Sequence, residues 1–211
     1  MTPAFANAAL ILVDIQEAFC AADGSMARQG RDIATCVAAG RQCIRLATLA
    51  RAAAIPVIWT RYCLRPDYRD GGWYTRELRP NIRNNESLRS DRKDSELWHE
   101  IRIESTDFIV DKPRMSSFYA TPLEAILRGE GVDTVLVAGV TTSMCVESTV
   151  RDASQRDYRT HVVADACADW AAARHQASLD AMQFGFAYLT TVEAIARGLD
   201  QRGRAGAHDV R

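Results

Sequence analysis

The stretch of residues 134–149, TVLVAGVTTSMCVEST, constrains the fold more than any other part of the chain. Its opening run, residues 135–138, is short, uncharged and rich in β-branched side chains, which is typical of a parallel strand buried on both faces. Gly139 ends the run, and the hydroxyl-bearing residues 141–143 can cap a following helix. The pattern therefore predicts a strand, a turn and a helix, with Cys145 at the start of the helix.

A cysteine in this position has two interpretations. The unpaired backbone N–H groups and the positive end of the helix dipole favour the thiolate form of Cys145, which is the nucleophilic form. The same N–H groups can hold an oxyanion. Most free cysteines are instead small buried core residues. The turn that precedes Cys145 favours a functional role but does not by itself decide between the two.

The rest of the chain alternates apolar runs with segments of helical spacing. The predicted strands are residues 8–15, 57–60, 107–111, 135–138, 161–164 and 188–190. The predicted helices are residues 33–54, 94–104, 122–128, one that starts near 145, 171–187 and 192–199. This order predicts an α/β fold: one domain over residues 1–211, with a doubly wound, Rossmann-like, parallel six-stranded sheet and helices on both faces. Residues 201–211 are expected to form a frayed tail.

Composition excludes several classes of function. The chain has 211 residues and a net charge of −1, so there is no electrostatic reason to expect binding to nucleic acid or to an anionic membrane. No apolar run approaches the ~18 residues that span a bilayer, and the N-terminal segment lacks the basic residues of a signal peptide. The six cysteines are scattered without a CxxC pair, as free thiols in a reducing cytosol would be. We therefore expect a cytoplasmic protein.

Three chemically complementary side chains lie where predicted strands end. Asp14 is at the end of the first strand, Lys112 follows the third and Cys145 follows the fourth. Because the carboxyl ends of parallel strands meet at one edge of a sheet, the three can share a pocket. A carboxylate can accept the thiol proton, and an ammonium lowers the thiol pKa and keeps the carboxylate ionised. The interpretation of Asp14 as a general acid and base competes with that of a capping or solvated aspartate.

Three motifs around these residues, VDIQEAF, VDKPRMSSFY and GVTTSMCVEST, resemble the signature stretches of the isochorismatase-like cysteine hydrolases. The resemblance implies a catalytic triad of Asp14, Lys112 and Cys145. It also implies a non-proline cis peptide bond between Val140 and Thr141. Finally, it implies an oxyanion hole formed by the backbone N–H groups of Thr141 and Cys145.

The resemblance covers residues 8 to about 169 in order and spacing. Nicotinamidases of this family bind a metal through histidines after the second strand, whereas this chain has no histidine before His99, so we expect neither a metal nor another cofactor. The cysteine also disfavours the aryl-capped isochorismatases, which lack it. Residues 116–121 and the CVEST continuation look most like the ureidoacrylate, N-carbamoylsarcosine and biuret-type amidohydrolases, although Met144 replaces the more usual polar residue.

The resemblance thus implies a metal-independent amidohydrolase that cleaves a C–N bond of a small carbamoyl, ureido or amide substrate through a cysteine acyl-enzyme. Two alternatives stay open: a family member acting on another small amide, such as maleamate or nicotinamide, and a non-catalytic protein that binds small molecules. A nucleotide-binding oxidoreductase is disfavoured because the first β–α turn, DIQEAF, contains no Gly-rich phosphate loop.

Further candidates line the predicted strand ends and a long polar segment. The candidate substrate-binding residues are Phe19, Gln16, Trp73, Phe118, Tyr119 and Thr142. Residues 61–92 are Arg-rich and too long for a simple connection, so they are expected to form a lid or a subunit interface. The arginines at 65, 69, 76, 79, 83 and 89 could bind a substrate carboxylate or a neighbouring subunit, but most are expected to pair with local acids. The expected partners are a small-molecule substrate and further copies of the chain, as a dimer or tetramer.

Overall fold

Six parallel strands form one sheet in the computed structural model, which describes residues 5–206 and only the backbone of 201–206. The strands are β1 (Ala8–Val13), β2 (Val57–Tyr62), β3 (Phe108–Lys112), β4 (Thr134–Val140), β5 (Arg159–Ala168) and β6 (Tyr188–Thr190), in the spatial order β3-β2-β1-β4-β5-β6. The central strands β1 and β4 are buried along their whole length, as their near-continuous apolar sequences predict. The predicted six-stranded parallel sheet is confirmed.

Helices cover both faces of the sheet. They are α1 (Glu17–Cys20), α2 (Ser25–Arg28), α3 (Ala34–Ala52), α4 (Asn81–Asn84), α5 (Leu123–Gly129), α6 (Glu147–Ser154), α7 (Ala172–Gly185) and α8 (Val192–Gly206). Helices α3 and α8 pack together, α6 packs with α7, and α3, α6 and α8 all contact β5. Within residues 5–206, no helix is both long and apolar enough to cross a membrane.

The chain reverses direction across the sheet between β1 and β4. It builds β2 and β3 on one side of β1 and then returns to place β4 on the other side. In open α/β sheets, ligands bind outside the carboxyl ends of the strands at such a reversal. Gly139 lets the two strands approach here, because a Cβ on it would lie 2.1 Å from the backbone oxygen of Val13. The fold therefore opens a crevice where Asp14 and Thr141 leave the sheet.

The predicted helix over residues 94–104 is wrong. The segment holds one short 3₁₀ turn, Lys93–Ser95, and continues without a helix. Trp98 is buried, and its backbone N–H donates to the oxygen of Ile15 at 2.9 Å. The apolar residues of this segment therefore contact the end of β1 and the core, and they do not form one face of a helix.

Two other predicted boundaries differ from the structure. Strand β5 continues to Ala168, and Asp165 lies inside it, where its carboxylate accepts the backbone N–H of Val192 at 2.9 Å and so caps α8. The predicted frayed tail, residues 201–211, is helical as far as Gly206, and the remainder lies outside the described residues. Asp165 lies where the pairing of β5 with β4 shifts register, between Val162 and Cys167, and such an interruption resembles a strand end when only the sequence is read.

The Arg-rich segment of residues 61–92 folds into α4 and two short turns, Arg69–Gly71 and Tyr74–Leu78, the second of which is π-helical. Ion pairs with acids nearby in sequence occupy several of its arginines, as predicted: Arg65 with Asp67, Arg69 with Asp67, and Arg89 with Glu86 and Asp91. Buried Asp94 accepts the backbone N–H groups of Leu88 and Ser25 and thereby holds this segment against α2.

Candidate active site

Asp14 immediately follows β1 and is fully buried. Its φ of 55° is in the left-handed region, which turns the backbone sharply out of the strand. The hydroxyl of Thr60 on the neighbouring strand β2 donates to Asp14 Oδ1 at 3.0 Å. The ammonium of Lys112 lies 2.7 Å from Asp14 Oδ2. Each carboxylate oxygen therefore has a partner from a different strand.

Lys112 is the last residue of β3, paired in register with Tyr62 of β2. Because β2 separates β3 from β1, the long lysine side chain has to pass the end of β2 to reach Asp14. Its Nζ lies 4.6 Å from the centroid of the Tyr62 ring and donates to the backbone oxygen of Arg114 at 3.0 Å. Lys112 is fully buried, so its charge is balanced by these contacts and not by solvent.

Cys145 lies beyond β4, in a π-helical turn (Thr142–Val146) that precedes α6. The peptide bond between Val140 and Thr141, before this turn, is cis, as the family resemblance implied. The predicted capping by hydroxyl side chains is not observed. The π-helical turn begins after Thr141 without a side-chain cap hydrogen bond. Instead, Cys145 is only 5% exposed, and the Thr149 hydroxyl donates to its backbone oxygen at 2.7 Å.

Burial raises the pKa of Cys145 well above its usual range, although the Lys112 charge acts to lower it. The charge of Asp14 adds to the rise, since a thiolate would lie beside a second anion. This contradicts the prediction of a resting thiolate. The predicted stabilisation by the first helical turn and by lysine is outweighed by the cost of a second negative charge in a buried site.

The neighbouring acid and base respond to the same burial. Burial raises the pKa of Asp14, and the attraction of Lys112 opposes this rise only in part. The pKa of Lys112 is also raised, because the attraction of Asp14 and Cys145 overcomes the effect of burial. The ammonium therefore stays protonated and can balance one negative charge, which is carried by either the carboxylate or the sulfur.

A cavity of about 540 Å³ opens onto Cys145. Its lining residues come from α1, from α2 and the following loop, from the Arg-rich segment, from the strand ends and the π-helical turn, and from α7: Phe19, Met26, Gln29, Arg31, Tyr62, Tyr74, Arg79, Asn81, Ile82, Leu88, Thr141, Ser143, Met144, Cys145, Trp170 and Arg174. This size is within the range of small-molecule sites. Thr141 and Cys145 are thus accessible to a ligand, while Asp14 and Lys112 lie outside this lining.

Of the six candidate substrate-binding residues, only Phe19 lines this cavity, where its ring stacks on Trp170 at 6.2 Å between centroids. Gln16 is buried, and its amide is bound by the backbone of Tyr62 and Ser95, so it joins the end of β2 to a neighbouring segment. Its position two residues after Asp14 suggested a ligand contact, but its amide nitrogen and oxygen are hydrogen-bonded within the fold.

The other candidates face elsewhere. Trp73 and Tyr119 are 59% and 57% exposed and do not line the cavity. Phe118 is buried against Tyr158, with 5.9 Å between ring centroids. Thr142 is buried, and its hydroxyl is 2.8 Å from Nδ1 of His175. These four predictions are not supported, because proximity to a strand end does not fix the direction of a side chain.

Sequence reasoning missed most of the cavity wall. Tyr62 ends β2, and the strand-end rule that identified Lys112 would have identified it as well. Tyr74 and Arg79 were part of the Arg-rich segment, but nothing in its sequence distinguished them from their exposed neighbours. Trp170 follows β5, whose end was predicted four residues too early.

The carboxylate of Asp169 supports the turn that contains Cys145. Asp169 accepts hydrogen bonds from the backbone N–H and the hydroxyl of Ser143 at 3.2 and 2.5 Å. It also accepts from Nε of Arg174 at 3.0 Å, and these contacts lower the pKa of its carboxyl. The carboxylate therefore fixes residue 143 from outside the turn, two residues before Cys145.

The described part of the chain contains no cluster of metal-ligating side chains. Among residues 5–206, no three histidine, cysteine, aspartate or glutamate side chains are grouped as metal ligands would be. The expectation that no metal or cofactor is required stays a prediction.

Comparisons with known proteins show which family this chain resembles. An isochorismatase domain model matches residues 8–194. A ureidoacrylate amidohydrolase RutB of Methylobacterium radiotolerans is 34% identical over 212 residues, covering 94% of this chain and 82% of that protein. The crystal structure of a cysteine hydrolase from Pseudomonas syringae pv. phaseolicola has a TM-score of 0.84 at 30% identity and covers 92% of this chain and 93% of its own.

A second solved structure, an N-carbamoylsarcosine amidase from Thermoplasma acidophilum, has a TM-score of 0.71 at 27% identity. The match covers 88% of this chain and 96% of that one. The domain match extends over nearly the whole described chain, so the resemblance carried by the three motifs is confirmed. This chain belongs to the isochorismatase family.

Proposed function

We propose that this protein is a metal-independent cysteine amidohydrolase that cleaves a C–N bond in a small carbamoyl, ureido or amide substrate. The observation that carries the proposal is the buried ion pair of Lys112 and Asp14, 2.7 Å apart, coupled electrostatically to Cys145 at the cavity wall. The names of two similar proteins, a ureidoacrylate amidohydrolase and an N-carbamoylsarcosine amidase, support the same class of reaction.

The first step is attack by the Cys145 sulfur on the substrate carbonyl carbon. As the C–S bond forms, the thiol proton passes to Asp14. The cluster then still carries one negative charge, now on the tetrahedral oxyanion, and Lys112 still balances it. Because a buried site penalises any uncompensated charge, this coupled transfer avoids a free thiolate beside an ionised carboxylate.

The negative oxygen of the tetrahedral intermediate needs hydrogen-bond donors. We assign this role to the backbone N–H groups of Thr141, which precedes the π-helical turn, and of Cys145 within it; both residues line the cavity. Donors held in place before the reaction stabilise the developing charge more than mobile water does.

Asp14, now protonated, then donates its proton to the leaving nitrogen. The C–N bond breaks, ammonia or an amine departs, and an acyl group remains on Cys145. Asp14 next removes a proton from water, the hydroxide attacks the acyl carbon, and the sulfur leaves and takes back the proton. The raised pKa of Asp14 suits both roles, since a general acid and base works best with a pKa near the working pH.

Replacing Cys145 tests this function directly. Ammonia release is measured over a panel of carbamoyl acids, biuret, ureidoacrylate, maleamate and nicotinamide, for the wild type, Cys145→Ser and the control Cys63→Ser. Cys63 is a partly buried free cysteine outside the cavity lining. Cys145→Ser should abolish turnover with an unchanged circular dichroism spectrum, while Cys63→Ser should stay active.

Intact-protein mass spectrometry of the wild type during turnover should detect the acyl adduct on Cys145. Hydrolysis by Cys145→Ser within about tenfold of the wild-type rate would remove Cys145 from the nucleophile role. No turnover of any amide by the wild type, with tight binding of one of them, would favour a non-catalytic binding protein. The dimeric or tetrameric state, the cytoplasmic location and the absence of nucleic-acid partners stay predictions.

A further inference from the structure

Helix α7 packs directly against the π-helical turn that carries Cys145. Ser178 of this helix is buried, and its hydroxyl donates to Glu147 Oε2 at 2.6 Å and to the backbone oxygen of Thr142 at 3.3 Å. Three residues earlier, and therefore on the same face of α7, Nδ1 of His175 lies 2.8 Å from the Thr142 hydroxyl oxygen. One helix face thus binds both the backbone and the side chain of Thr142.

The Thr142 side chain is bound on the helix side of the turn. It is fully buried and absent from the cavity lining, whereas Thr141 and Cys145 line the cavity. Thr142 follows Thr141 directly and lies three residues before Cys145. Fixing Thr142 therefore restricts the two backbone N–H groups that we assign to the oxyanion.

The hydroxyl of Thr142 depends on His175. Among the described residues, His175 is the hydrogen-bond partner of this hydroxyl, while the next residue, Ser143, is held separately by the carboxylate of Asp169. Without the imidazole, the hydroxyl would be buried and unpaired. An unpaired buried hydroxyl is unfavourable, so Thr142 would move towards another partner and displace the turn.

We propose that His175 is a positioning residue, which holds Thr142 so that the N–H groups of Thr141 and Cys145 are aimed at the oxyanion. The inference rests on the proposed function, since this oxyanion forms only during acyl transfer. His175 is half-buried and lies outside the cavity lining, so it acts through Thr142 and not on the substrate. Neutral and protonated imidazole can both form the bond, because a hydroxyl donates and accepts.

Steady-state kinetics on the amide that the wild type hydrolyses fastest measure this role. His175→Leu should lower kcat and kcat/KM together, by about tenfold or more, because donors held in place act on the transition state and lose their effect when displaced by ~1 Å. Thr142→Val removes the same hydrogen bond. The variant with both substitutions should therefore be no slower than the slower single variant.

Alkylation of Cys145 by iodoacetamide separates positioning of the donors from general damage to the site. In this reaction the sulfur displaces iodide from a methylene carbon, and no oxyanion forms. The alkylation rate, followed by peptide mass spectrometry, should therefore stay within about twofold of wild type in His175→Leu while kcat falls. A merely structural role would instead lower the two rates in parallel.

A conservative variant and a matched control complete the test. His175→Asn keeps an amide atom bonded to Cγ, where the histidine carries Nδ1, and should restore kcat to within about threefold of wild type. His161→Leu replaces a half-buried histidine of β5 outside the cavity lining and should leave both rates unchanged. Equal kcat in the wild type and His175→Leu, or parallel losses of kcat and alkylation, would overturn the positioning role.

Acetaldehyde tests the same donors without turnover. Its carbonyl carbon bonds to the Cys145 sulfur while its oxygen takes up the thiol proton, and this tetrahedral adduct protects the sulfur from iodoacetamide. Protection should require about tenfold more acetaldehyde in His175→Leu than in the wild type. That result without hydrolysis of any amide would retain the positioning role and reject the hydrolase. Equal protection of the two proteins would overturn the positioning role even if amides are hydrolysed.

Discussion

Replacing Lys112 by methionine is expected to leave a buried carboxylate without its cation. Methionine keeps much of the length and the apolar volume of lysine but removes the ammonium that lies 2.7 Å from Asp14 Oδ2. Both side chains are fully inaccessible to solvent, so water cannot replace the lost partner. The Thr60 hydroxyl remains as a donor to Asp14, but it carries no charge. Loss of one partner of a buried ion pair costs about 3–5 kcal/mol of folding free energy.

The loss of stability caused by Lys112→Met depends on pH, and the direction of this dependence follows from the pKa of Asp14. Burial raises this pKa even in the presence of Lys112, and without the ammonium it rises further above the unfolded value of ~3.9. The folded variant then binds a proton that the unfolded chain has released. Its stability relative to the wild type is therefore greatest at low pH. It falls by about 1.4 kcal/mol per pH unit between the pKa of Asp14 in the folded wild type and its higher pKa in the folded variant.

Urea unfolding between pH 5 and pH 8 measures this cost for Lys112→Met, Asp14→Asn and the double variant. The double variant removes both charges, so it should be at least ~2 kcal/mol more stable than the sum of the single effects predicts. The control is Lys93→Met, since Lys93 has a 62% exposed side chain and should contribute less than ~1 kcal/mol. A pH-independent loss for Lys112→Met together with an additive double variant would refute the coupling of the two charges.

Three further predictions concern the backbone, the pH dependence and the cofactor. Gly139→Ala should destabilise the protein by more than ~3 kcal/mol in urea unfolding. The reason is that the φ of Gly139 is 126° and an added Cβ would lie 2.1 Å from the Val13 oxygen. A loss below ~1 kcal/mol would contradict the close approach of the strands. The kcat/KM profile should fall at low pH as Asp14 is protonated, at a pH above its ordinary value of 3.8 because burial raises its pKa; an acid limb at or below that value would contradict this. Dialysis against a chelator should leave turnover unchanged, and a loss that zinc or manganese restores would show a catalytic metal.

The sequence alone was sufficient to predict the parallel sheet and the three polar side chains that lie where its strands end. Apolar runs such as residues 8–13 and 135–140, rich in β-branched residues, are typical of parallel strands buried on both faces, where every side chain leaves water. Parallel strands end at one edge, so Asp14, Lys112 and Cys145 were predicted to converge there, and the ion pair at 2.7 Å is in place.

Tertiary structure alone decided the electrostatics and the walls of the site. Local sequence predicted a thiolate at Cys145, whereas burial raises its pKa, since desolvation depends on all the segments packed around a group. The cavity is completed by Tyr62, Arg31 and Arg79, which come from separate segments. Strand order fixes where a side chain starts, but its direction is set by packing against distant residues. For this reason Gln16, two residues after Asp14, is bound in the fold, while Arg79, 65 residues after Asp14 in sequence, lines the cavity.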